Sequence, residues 1–446
     1  MSDELGYFGK VGELLNRLSI KIGDKVLVER IDGLKIEGIV LPRGEIGLDD
    51  KYLLIKLKNG YNMGIHVDNI KSIKKLGISV KVEPKPPEVP IITKKELPKV
   101  AILTTGGTIA SRVDYHSGAV YPAYDARDLY NIVPELGELA ELDAKLLFSV
   151  FSENITAKHW ITMVNEIKEY IKRGFDGIVI THGTDTMGYT AAALSFALRN
   201  LPVTIALVGA QRSSDRPSSD AALNLKSAVL VAGRAPFAYV TVVMHATSED
   251  KYCYVHLGTK VRKNHTSRRD AFQSVNVSPI ARTDSKSIEV LWRDFIPRDK
   301  SRELEVVAKF DEKVALIKTY PSFNPEIIDY LIDKGYHGIV LEGTGLGHAP
   351  TVIYDSLRRA KKENIPVVMT SQCIWGRINM NVYRTGRELQ ALGVIPGEDM
   401  LPETAYVKLM WVLGQTRDYD EVRKLMLMNI AGEITDQTLY NEYSNR

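Results

Sequence analysis

The chain carries two short glycine–threonine turns, Thr104-Thr105-Gly106-Gly107-Thr108-Ile109-Ala110 and Thr181-His182-Gly183-Thr184-Asp185-Thr186-Met187. Each turn follows a continuous apolar run, 100–103 or 177–180, which is typical of strands covered on both faces. Ligands bind to open α/β sheets where such strands end. The two turns therefore predict an α/β fold with threonine hydroxyls at its binding edge.

The surrounding sequence extends this α/β pattern. A third apolar run covers 203–208, and residues 158–173 and 188–199 have helical spacing between the runs. This alternation predicts a parallel sheet with right-handed crossovers. A second α/β unit begins near Lys313. Within this unit, the sequence of residues 335–340 resembles that of residues 174–179. Helical spacing at 404–414 and 421–431 then closes the chain.

A separate small domain is predicted at the N-terminus. The proline-rich stretch 82–90 favours an extended linker. Before it, four short runs of mainly alternating residues are separated by turn residues, which is typical of a small closed or half-closed, SH3-like β barrel of about five strands. About 80 residues are few for a catalytic core, so we expect a docking appendage. The runs are 25–29, 35–40, 52–57 and 63–67.

The predicted organisation is a β-barrel appendage before a two-domain α/β core whose N-terminal domain is the larger. The connection between the two core domains is charged and irregular. The expected boundaries are 1–82 for the barrel, 83–98 for the linker, 99–290 for the N-terminal α/β domain with the threonines, 291–312 for the connection, and 313–446 for the C-terminal α/β domain.

Composition places the chain among ordinary globular proteins. Of its 446 residues, 44% are hydrophobic and 25% are charged. No apolar run approaches the roughly 18 residues of a membrane span, and the first residues, which are acidic, do not resemble a signal peptide. Cys253 and Cys373 are too few for a disulfide framework. We expect a cytoplasmic protein in which both cysteines are reduced and mostly buried.

The positive charge is concentrated near the N-terminus. Residues 1–99 contain 18 lysines and arginines against 14 acidic residues, whereas the remainder carries 40 against 41. This excess is well below that of a typical nucleic-acid-binding domain. Contact with RNA and a solvated lysine-rich surface both remain open as explanations.

The first turn offers the groups that a covalent acyl transfer needs. Gly106 and Gly107 allow close backbone approach to a ligand, and their N–H groups are suited to an oxyanion. Thr108 then projects as a nucleophile, although a helix N-cap is the alternative interpretation. A threonine hydroxyl needs a base, either a tyrosinate or a lysine whose pKa is lowered by burial beside cationic groups.

The second turn repeats the arrangement. Thr184 again follows a strand, and Asp185 is suited to grip an α-amino group, to orient a lysine, or only to cap the next helix. His182 is interpreted as structural rather than as a base. The positively charged segment 259–270, which contains Lys263, resembles a solvated face when taken alone.

Other chemistries lack their motifs in this sequence. Neither turn has the GxxxxGK[ST] or GxGxxG order of a phosphate cradle, and the Gly-rich stretch 343–347 also misses that spacing. There is no HExxH or CxxC metal pattern and no nucleophile elbow with a Cys–His pair. The sequence therefore favours a threonine amidohydrolase.

At this point a family resemblance is specific. The stretches 105–110 and 181–186 resemble the two signatures of the bacterial-type L-asparaginase/glutaminase family, and the likeness continues through Ser152-Glu153-Asn154, 219–225 and Lys263. It covers about residues 99–435. The resemblance implies an asparaginase-like fold and a homodimer whose sites are completed by residues of the neighbouring protomer.

The resemblance also implies site residues. One triad contains Thr108, a tyrosine and an acidic or basic helper, and the tyrosine falls on Tyr121 or Tyr115. The family pattern implies that the amino-acid end of the substrate is held by neighbouring residues. The other residues implied are Thr184, Asp185 and Lys263 as the second triad, with Ser152, Glu153, Gly107 and Gly183 around the substrate.

The N-terminal appendage narrows the resemblance to one branch. Together with the loop 211–220 and the stretch 371–381, it is similar to the glutaminase components of archaeal tRNA-dependent amidotransferases. That branch implies ammonia release from glutamine, with asparagine as a possible second donor. It also implies a partner protein, GatE, which binds Glu-tRNA(Gln) and uses ATP and Mg²⁺. No cofactor is then expected in this chain.

Two alternatives remain open from the sequence. One is a free-standing asparaginase that carries a barrel. The other is a binding protein that uses a catalytically idle asparaginase scaffold. The sequence also leaves open whether the barrel contacts tRNA or only GatE, and how ammonia travels to the partner.

Overall fold

The structure is a computed structural model. It describes residues 7, 9–41, 51–58, 61–78, 97–107, 109, 111–113, 120–122, 133–212 and 218–438, with only the backbone for 111–113 and 120–122. Thr108, Tyr115 and most of the proposed linker lie outside the described residues.

The N-terminal unit is a helix followed by a five-stranded antiparallel sheet, in the order β4-β3-β2-β1-β5. Its apolar core lies between the helix and the sheet. The alternating runs predicted four of the strands. The elements are α1 (Gly9–Arg17), β1 (Asp24–Arg30), β2 (Lys35–Val40), β3 (Tyr52–Leu57), β4 (Asn62–His66) and β5 (Ile70–Ile78).

The expected number of about five strands is confirmed, but the sequence analysis located neither the fifth strand, β5, nor α1. In the described sheet β5 pairs only with β1, and Ile73 is buried while the two residues on either side of it are exposed. An edge strand that is mostly solvated shows no strict alternation, which explains the omission. Helix α1 is only nine residues long, so its apolar stripe is short.

The N-terminal α/β domain is built on an eight-stranded sheet in the order β18-β17-β14-β13-β12-β10-β6-β9. The strands of this part of the chain are β6 (Lys99–Thr104), β7 (Ser111–Val113), β8 (Val120–Pro122), β9 (Glu141–Leu146), β10 (Gly177–Thr181), β11 (Leu198–Arg199), β12 (Thr204–Val208), β13 (Val240–His245), β14 (Cys253–Leu257), β15 (Val261–Lys263), β16 (Phe272–Ser274), β17 (Ala281–Thr283), β18 (Ile288–Val290) and β19 (Glu305–Val306).

The predicted parallel sheet is present in this domain, but antiparallel strands extend it to a mixed sheet. The five strands β9, β6, β10, β12 and β13 are parallel, whereas β14, β17 and β18 are antiparallel additions. After β13 the chain returns through the short connection 246–252 instead of a crossover helix. Such a connection can only join antiparallel strands.

Helices cover both faces of this sheet. Apolar side chains of α3 and α4 pack on one face, and those of α5 pack on the other. The predicted helices at 158–173 and 188–199 correspond to α3 and α4. The helices are α2 (Leu136–Leu139), α3 (Ala157–Lys172), α4 (Met187–Ala197) and α5 (Ala221–Arg234).

The C-terminal domain has a four-stranded parallel sheet in the order β20-β21-β22-β23. Its elements are β20 (Val314–Lys318), α6 (Glu326–Asp333), β21 (Gly338–Gly343), α7 (Tyr354–Lys362), β22 (Val367–Ser371), α8 (Arg384–Ala391), β23 (Ile395–Pro396), α9 (Pro402–Gln415) and α10 (Tyr419–Leu427). Short 3₁₀ turns occur at Val67–Asn69, Ser152–Asn154 and Thr351–Ile353.

Helix α9 joins the two α/β domains through a shared core. It packs on β21 and also on α4 of the N-terminal domain. The rings of Phe196 and Trp411 stack with centroids 6.1 Å apart. Because the side chains of both domains belong to one continuous apolar cluster, their relative position is fixed by packing.

Candidate active site

The two glycine–threonine turns lie side by side at one edge of the eight-stranded sheet. Strands β6 and β10 are parallel neighbours, with Thr104 opposite Thr181. The backbone N–H of Thr105 donates to the carbonyl oxygen of Thr181 at 3.2 Å, and its hydroxyl donates to the same oxygen at 2.8 Å. The predicted meeting of the two turns at the carboxyl ends of the strands is therefore confirmed.

Glycine is required where the turns touch. Gly107 has φ +84°, and a Cβ built on it would lie 2.8 Å from the backbone nitrogen of Gly183. Gly106 has φ +107°, and its Cβ would lie 2.7 Å from the carbonyl oxygen of Val150. Both the backbone conformation and the space exclude a side chain. The two turns can therefore approach each other only because residue 107 is glycine, and Gly106 allows the same close approach to Val150.

Three of the predicted site residues form a hydrogen-bonded group. The Nζ of Lys263 donates to Thr184 Oγ1 at 2.9 Å and to Asp185 Oδ1 at 2.7 Å. The Lys263 side chain is 12% exposed and that of Asp185 is 69% exposed. A hydroxyl, an amine and an orienting carboxylate in this order form an arrangement suited to proton transfer.

Neighbouring elements fix the orientation of Thr184. A Cβ on Gly209, which follows β12, would lie 2.7 Å from the Thr184 methyl carbon, so that carbon packs against the bare glycine backbone. The hydroxyl consequently faces Lys263, which lies in the two-stranded ribbon of β15 and β16. Asp185 is engaged with this lysine, and the residue that precedes α4 is Thr186, so the cap interpretation of Asp185 is not needed.

Ser152 lies against the second turn. Its side chain is buried, and a Cβ on Gly183 would lie 2.8 Å from Ser152 Cβ and 3.0 Å from its Oγ. The Thr186 hydroxyl donates to the Ser152 carbonyl oxygen at 2.6 Å. Glu153 belongs to the same 3₁₀ turn and is exposed. The structure thus brings the predicted substrate-binding pair to the threonine turns.

His182 is part of a buried chain of hydrogen bonds. Its Nδ1 is 2.6 Å from the Gly183 carbonyl oxygen, which accepts only, so Nδ1 is assigned the hydrogen. Nε2 therefore accepts from the Thr190 hydroxyl at 2.9 Å, and the oxygen of that hydroxyl accepts from Trp160 Nε1 at 3.0 Å. Burial lowers the pKa of His182 to about 4. A neutral imidazole with both nitrogens engaged agrees with the structural interpretation.

Three predicted residues have no described side chain. Thr108 and Tyr115 lie outside the described residues, and for Tyr121 the structure describes only the backbone, which pairs with Arg112 between β8 and β7. The assignment of the tyrosine and the role of Thr108 therefore stay predictions.

The positively charged segment 259–270 is a solvated face only in part, because residues 265–268 are exposed whereas residues 259–261 are buried. Lys260 is fully buried, and its Nζ lies 2.7 Å from Asp399 Oδ2. Burial lowers the pKa of Lys260 against the attraction of Asp399. Arg262 pairs with Glu403 at 3.1 Å. The sequence carries no local signal for these partners, because they lie about 140 residues away along the chain.

The two cysteines also differ from expectation. Cys253 is buried, and burial raises the pKa of its thiol to about 12. Cys373 is exposed, because it follows the last residues of β22 in a surface loop. The expectation that both are mostly buried was wrong for Cys373.

Neither a metal site nor a membrane span is found in the part of the chain that the structure describes. Its residues contain no group of three or more His, Cys, Asp or Glu side chains placed to hold a metal ion. No helix among them is long and apolar enough to cross a membrane.

Comparison with known proteins identifies the family. Residues 99–295 match the model for the asparaginase N-terminal domain, residues 313–426 match the glutaminase/asparaginase C-terminal domain, and residues 20–76 match the GatD N-terminal domain. The glutamyl-tRNA(Gln) amidotransferase component GatD of Pyrococcus abyssi is 54% identical over 439 residues, covering 97% of this chain and 99% of the relative. The chain belongs to the GatD family.

Other GatD proteins are similar over the same extent. The GatD protein of Methanopyrus kandleri is 51% identical over 434 residues, covering 96% of this chain and 94% of the relative. That of Sulfurisphaera tokodaii is 49% identical, again over 434 residues, with 96% and 95% coverage. This confirms the predicted branch of the asparaginase/glutaminase family.

Solved asparaginases share the α/β core of this GatD family member. The thermostable L-asparaginase from Thermococcus kodakarensis is 35% identical with a TM-score of 0.69, covering 76% of this chain and all of that chain. L-asparaginase I from Vibrio cholerae is 29% identical with a TM-score of 0.66 and the same coverage. The predicted asparaginase-like two-domain fold with an N-terminal appendage is confirmed.

Proposed function

We propose that this chain is the glutaminase component of a tRNA-dependent amidotransferase. It hydrolyses the side-chain amide of glutamine and supplies ammonia for converting Glu-tRNA(Gln) to Gln-tRNA(Gln). The observation that carries the proposal is the contact of Lys263 with both Thr184 and Asp185, at the edge where the two glycine turns meet. The related GatD proteins of Pyrococcus abyssi and Methanopyrus kandleri, which are named as amidotransferase subunits, support the same function.

The proposed reaction is acyl transfer through a threonine. The Thr108 hydroxyl gives its proton to a base in the site as its oxygen attacks the carboxamide carbon of glutamine. The amide nitrogen then takes up this proton, the C–N bond breaks, and ammonia leaves. Water then attacks the acyl-threonine ester, which releases glutamate and restores the hydroxyl. Backbone N–H groups of the glycine turns hold the oxyanion of both tetrahedral intermediates.

The Thr184–Lys263–Asp185 group serves these steps by moving protons. Lys263 already donates to the Thr184 hydroxyl, so a proton can pass along this pair. Asp185 stabilises the charged lysine and keeps its amine aimed at Thr184. Ser152 and Glu153 bind the amino-acid end of glutamine, and Tyr121 or Tyr115 assists Thr108. Asparagine is the second donor to be tested.

The remaining steps are assigned to a partner. We propose that GatE binds Glu-tRNA(Gln) and activates the glutamyl carboxylate with ATP and Mg²⁺, so that this chain needs no cofactor of its own. The chain acts as a homodimer in the cytoplasm, and its N-terminal β domain docks on GatE or on tRNA.

The first experiment measures ammonia release from glutamine and from asparagine, by the chain alone and with GatE and Glu-tRNA(Gln). We expect glutamine turnover to rise sharply with partner and tRNA. Thr108→Val and Lys263→Met should each lower the rate by roughly 10²–10⁴-fold, the contribution of a general base or nucleophile group. Thr162→Val, which removes the hydroxyl of a threonine on the exposed side of α3, is the control.

A free-standing asparaginase is the second candidate function. It is favoured by the 35% identical asparaginase from Thermococcus kodakarensis, because this chain aligns with the whole length of that enzyme. Equal, asparagine-preferring turnover with and without the partner would establish it and refute the amidotransferase proposal. A Thr108→Val variant that still supports full tRNA amidation by glutamine would contradict the threonine mechanism.

A further inference from the structure

The site lysine lies on a support that is weak by itself. Lys263 ends β15, which has three residues and, within the described structure, pairs only with the three residues of β16. An isolated two-stranded ribbon of this length is marginal in water. On the site side, Lys263 contacts Asp185, whose side chain is 69% exposed. Neither feature is enough to fix the amine to within a fraction of an ångström.

The two residues just before the same strand are fastened to the C-terminal domain. The Thr404 hydroxyl donates to the carbonyl oxygen of Thr259 at 2.9 Å, and both residues are buried. Lys260 Nζ donates to Asp399, at 2.7 Å to Oδ2 and 3.1 Å to the carbonyl oxygen. A buried ion pair with these additional hydrogen bonds resists separation, because breaking it would leave an uncompensated charge.

The third fastening lies directly behind Lys263. Arg262 Nη2 is 3.1 Å from Glu403 Oε1, with side-chain exposures of 31% and 18%. Successive side chains of a strand point to opposite faces. Lys263 therefore faces Thr184 while its neighbour Arg262 is held on the other face.

The second strand of the ribbon is tied to the same place. Asn276, which follows β16, donates to the carbonyl oxygens of Asp399 at 3.2 Å and Gly376 at 2.9 Å. The Gly376 N–H donates back to Asn276 Oδ1 at 2.8 Å. Both strands of the ribbon are thus tied at the same end, where residues 260 and 275 are hydrogen-bonded, to the C-terminal domain around Asp399.

We propose that residues 399–404, here named the 399–404 clamp, position Lys263 for the reaction. The inference rests on the proposed function, since it assigns the clamp's effect to turnover at that site. Asp399, Glu403 and Thr404 contact the ribbon or the residues just before it, so they are positioning residues. A displacement of the C-terminal domain would be transmitted to the amine of Lys263 through these three contacts.

The test removes the two milder fastenings together. In Glu403→Gln with Thr404→Val, the shapes are retained while the ion pair and the hydroxyl are lost. With a displacement approaching 1 Å at Lys263, we expect kcat for ammonia release to fall roughly tenfold to a hundredfold. KM should stay within about twofold, because Ser152 and Glu153 belong to a different turn from the clamped ribbon.

Matched variants separate positioning from general stability. Asp176→Asn removes the charge of another half-buried carboxylate, which is 25% exposed and pairs with Lys300. Asp176 precedes β10, so it lies at the end of the sheet opposite the site. This variant should leave kcat unchanged. Glu403→Asp with Thr404→Ser keeps a carboxylate and a hydroxyl and should restore most of the rate. Backbone amides of the ribbon, such as the Asn264 N–H that bonds to Ala271, should exchange faster in the double variant alone.

The assay uses the full chain with GatE and Glu-tRNA(Gln), and melting temperature is recorded for every variant. A folded double variant with wild-type kcat and unchanged hydrogen exchange would overturn the clamp, as would an equal loss in Asp176→Asn. If the wild type releases no ammonia from glutamine, the proposed function fails, while hydrogen exchange of the ribbon still decides whether the clamp holds it.

Discussion

Substituting alanine for Gly183 should damage the site by displacing its neighbour. The new methyl group would lie 2.8 Å from Ser152 Cβ and 3.0 Å from Ser152 Oγ. Carbon atoms in contact prefer about 3.5–4.0 Å, so the Gly183 turn and the Ser152–Asn154 turn must separate by roughly 0.7–1.2 Å. The Ser152–Asn154 turn would then move away from Thr184. The contacts that Ser152 and Glu153 are predicted to make with the substrate would be weakened.

The size of the effect follows from this displacement. Overpacking a buried contact costs about 1–3 kcal/mol of unfolding free energy. A shift near 1 Å in a positioned group lowers kcat/KM by up to about 100-fold, which corresponds to roughly 2.7 kcal/mol of transition-state stabilisation. The assays are ammonia release from glutamine in the complete complex and denaturant unfolding of the chain.

Two variants give this prediction its controls. Gly64→Ala in the N-terminal β domain places a methyl group 3.5–4.0 Å from its neighbours, an ordinary contact, and should change neither quantity. Adding Ser152→Gly to Gly183→Ala removes the atoms that collide and should recover stability, but not activity if Ser152 binds substrate. Wild-type activity and stability in Gly183→Ala would refute the reasoning.

Two further predictions concern buried groups. The pKa of His182 is lowered to about 4 by burial, so between pH 6.5 and 4 the unfolded chain binds a proton that the folded chain does not. The free energy of unfolding should therefore fall by about 3 kcal/mol as the pH drops from 6.5 to 4. The free energy of unfolding of the His182→Gln variant should lack this pH dependence. The second concerns Lys408 and Glu433, which form a fully buried ion pair at 2.6 Å. Glu433→Gln should cost roughly 3–5 kcal/mol by leaving the lysine unpaired. Adding Lys408→Met should return part of the loss in a double-mutant cycle, and simple additivity would contradict this account.

Several features were predictable because they depend on local sequence. The apolar runs before the two turns predicted β6 and β10. Gly106 and Gly107 predicted a tight turn, and their observed φ values of +107° and +84° lie in the region that favours glycine. Helical spacing likewise predicted α3 and α4. Adjacent parallel strands bring their carboxyl ends together, so the meeting of the turns also followed from the pattern.

The antiparallel half of the large sheet and the environment of Lys263 were decided by tertiary structure. Nothing near Lys260 or Arg262 indicates that Asp399 and Glu403 face them, because the ion pairs form only when the two domains pack on α9. A charged segment has the same local pattern whether water or a distant carboxylate solvates it. The sequence by itself therefore determined the fold family and the chemical groups of the site, and long-range packing decided which charges are buried and what holds the lysine in place.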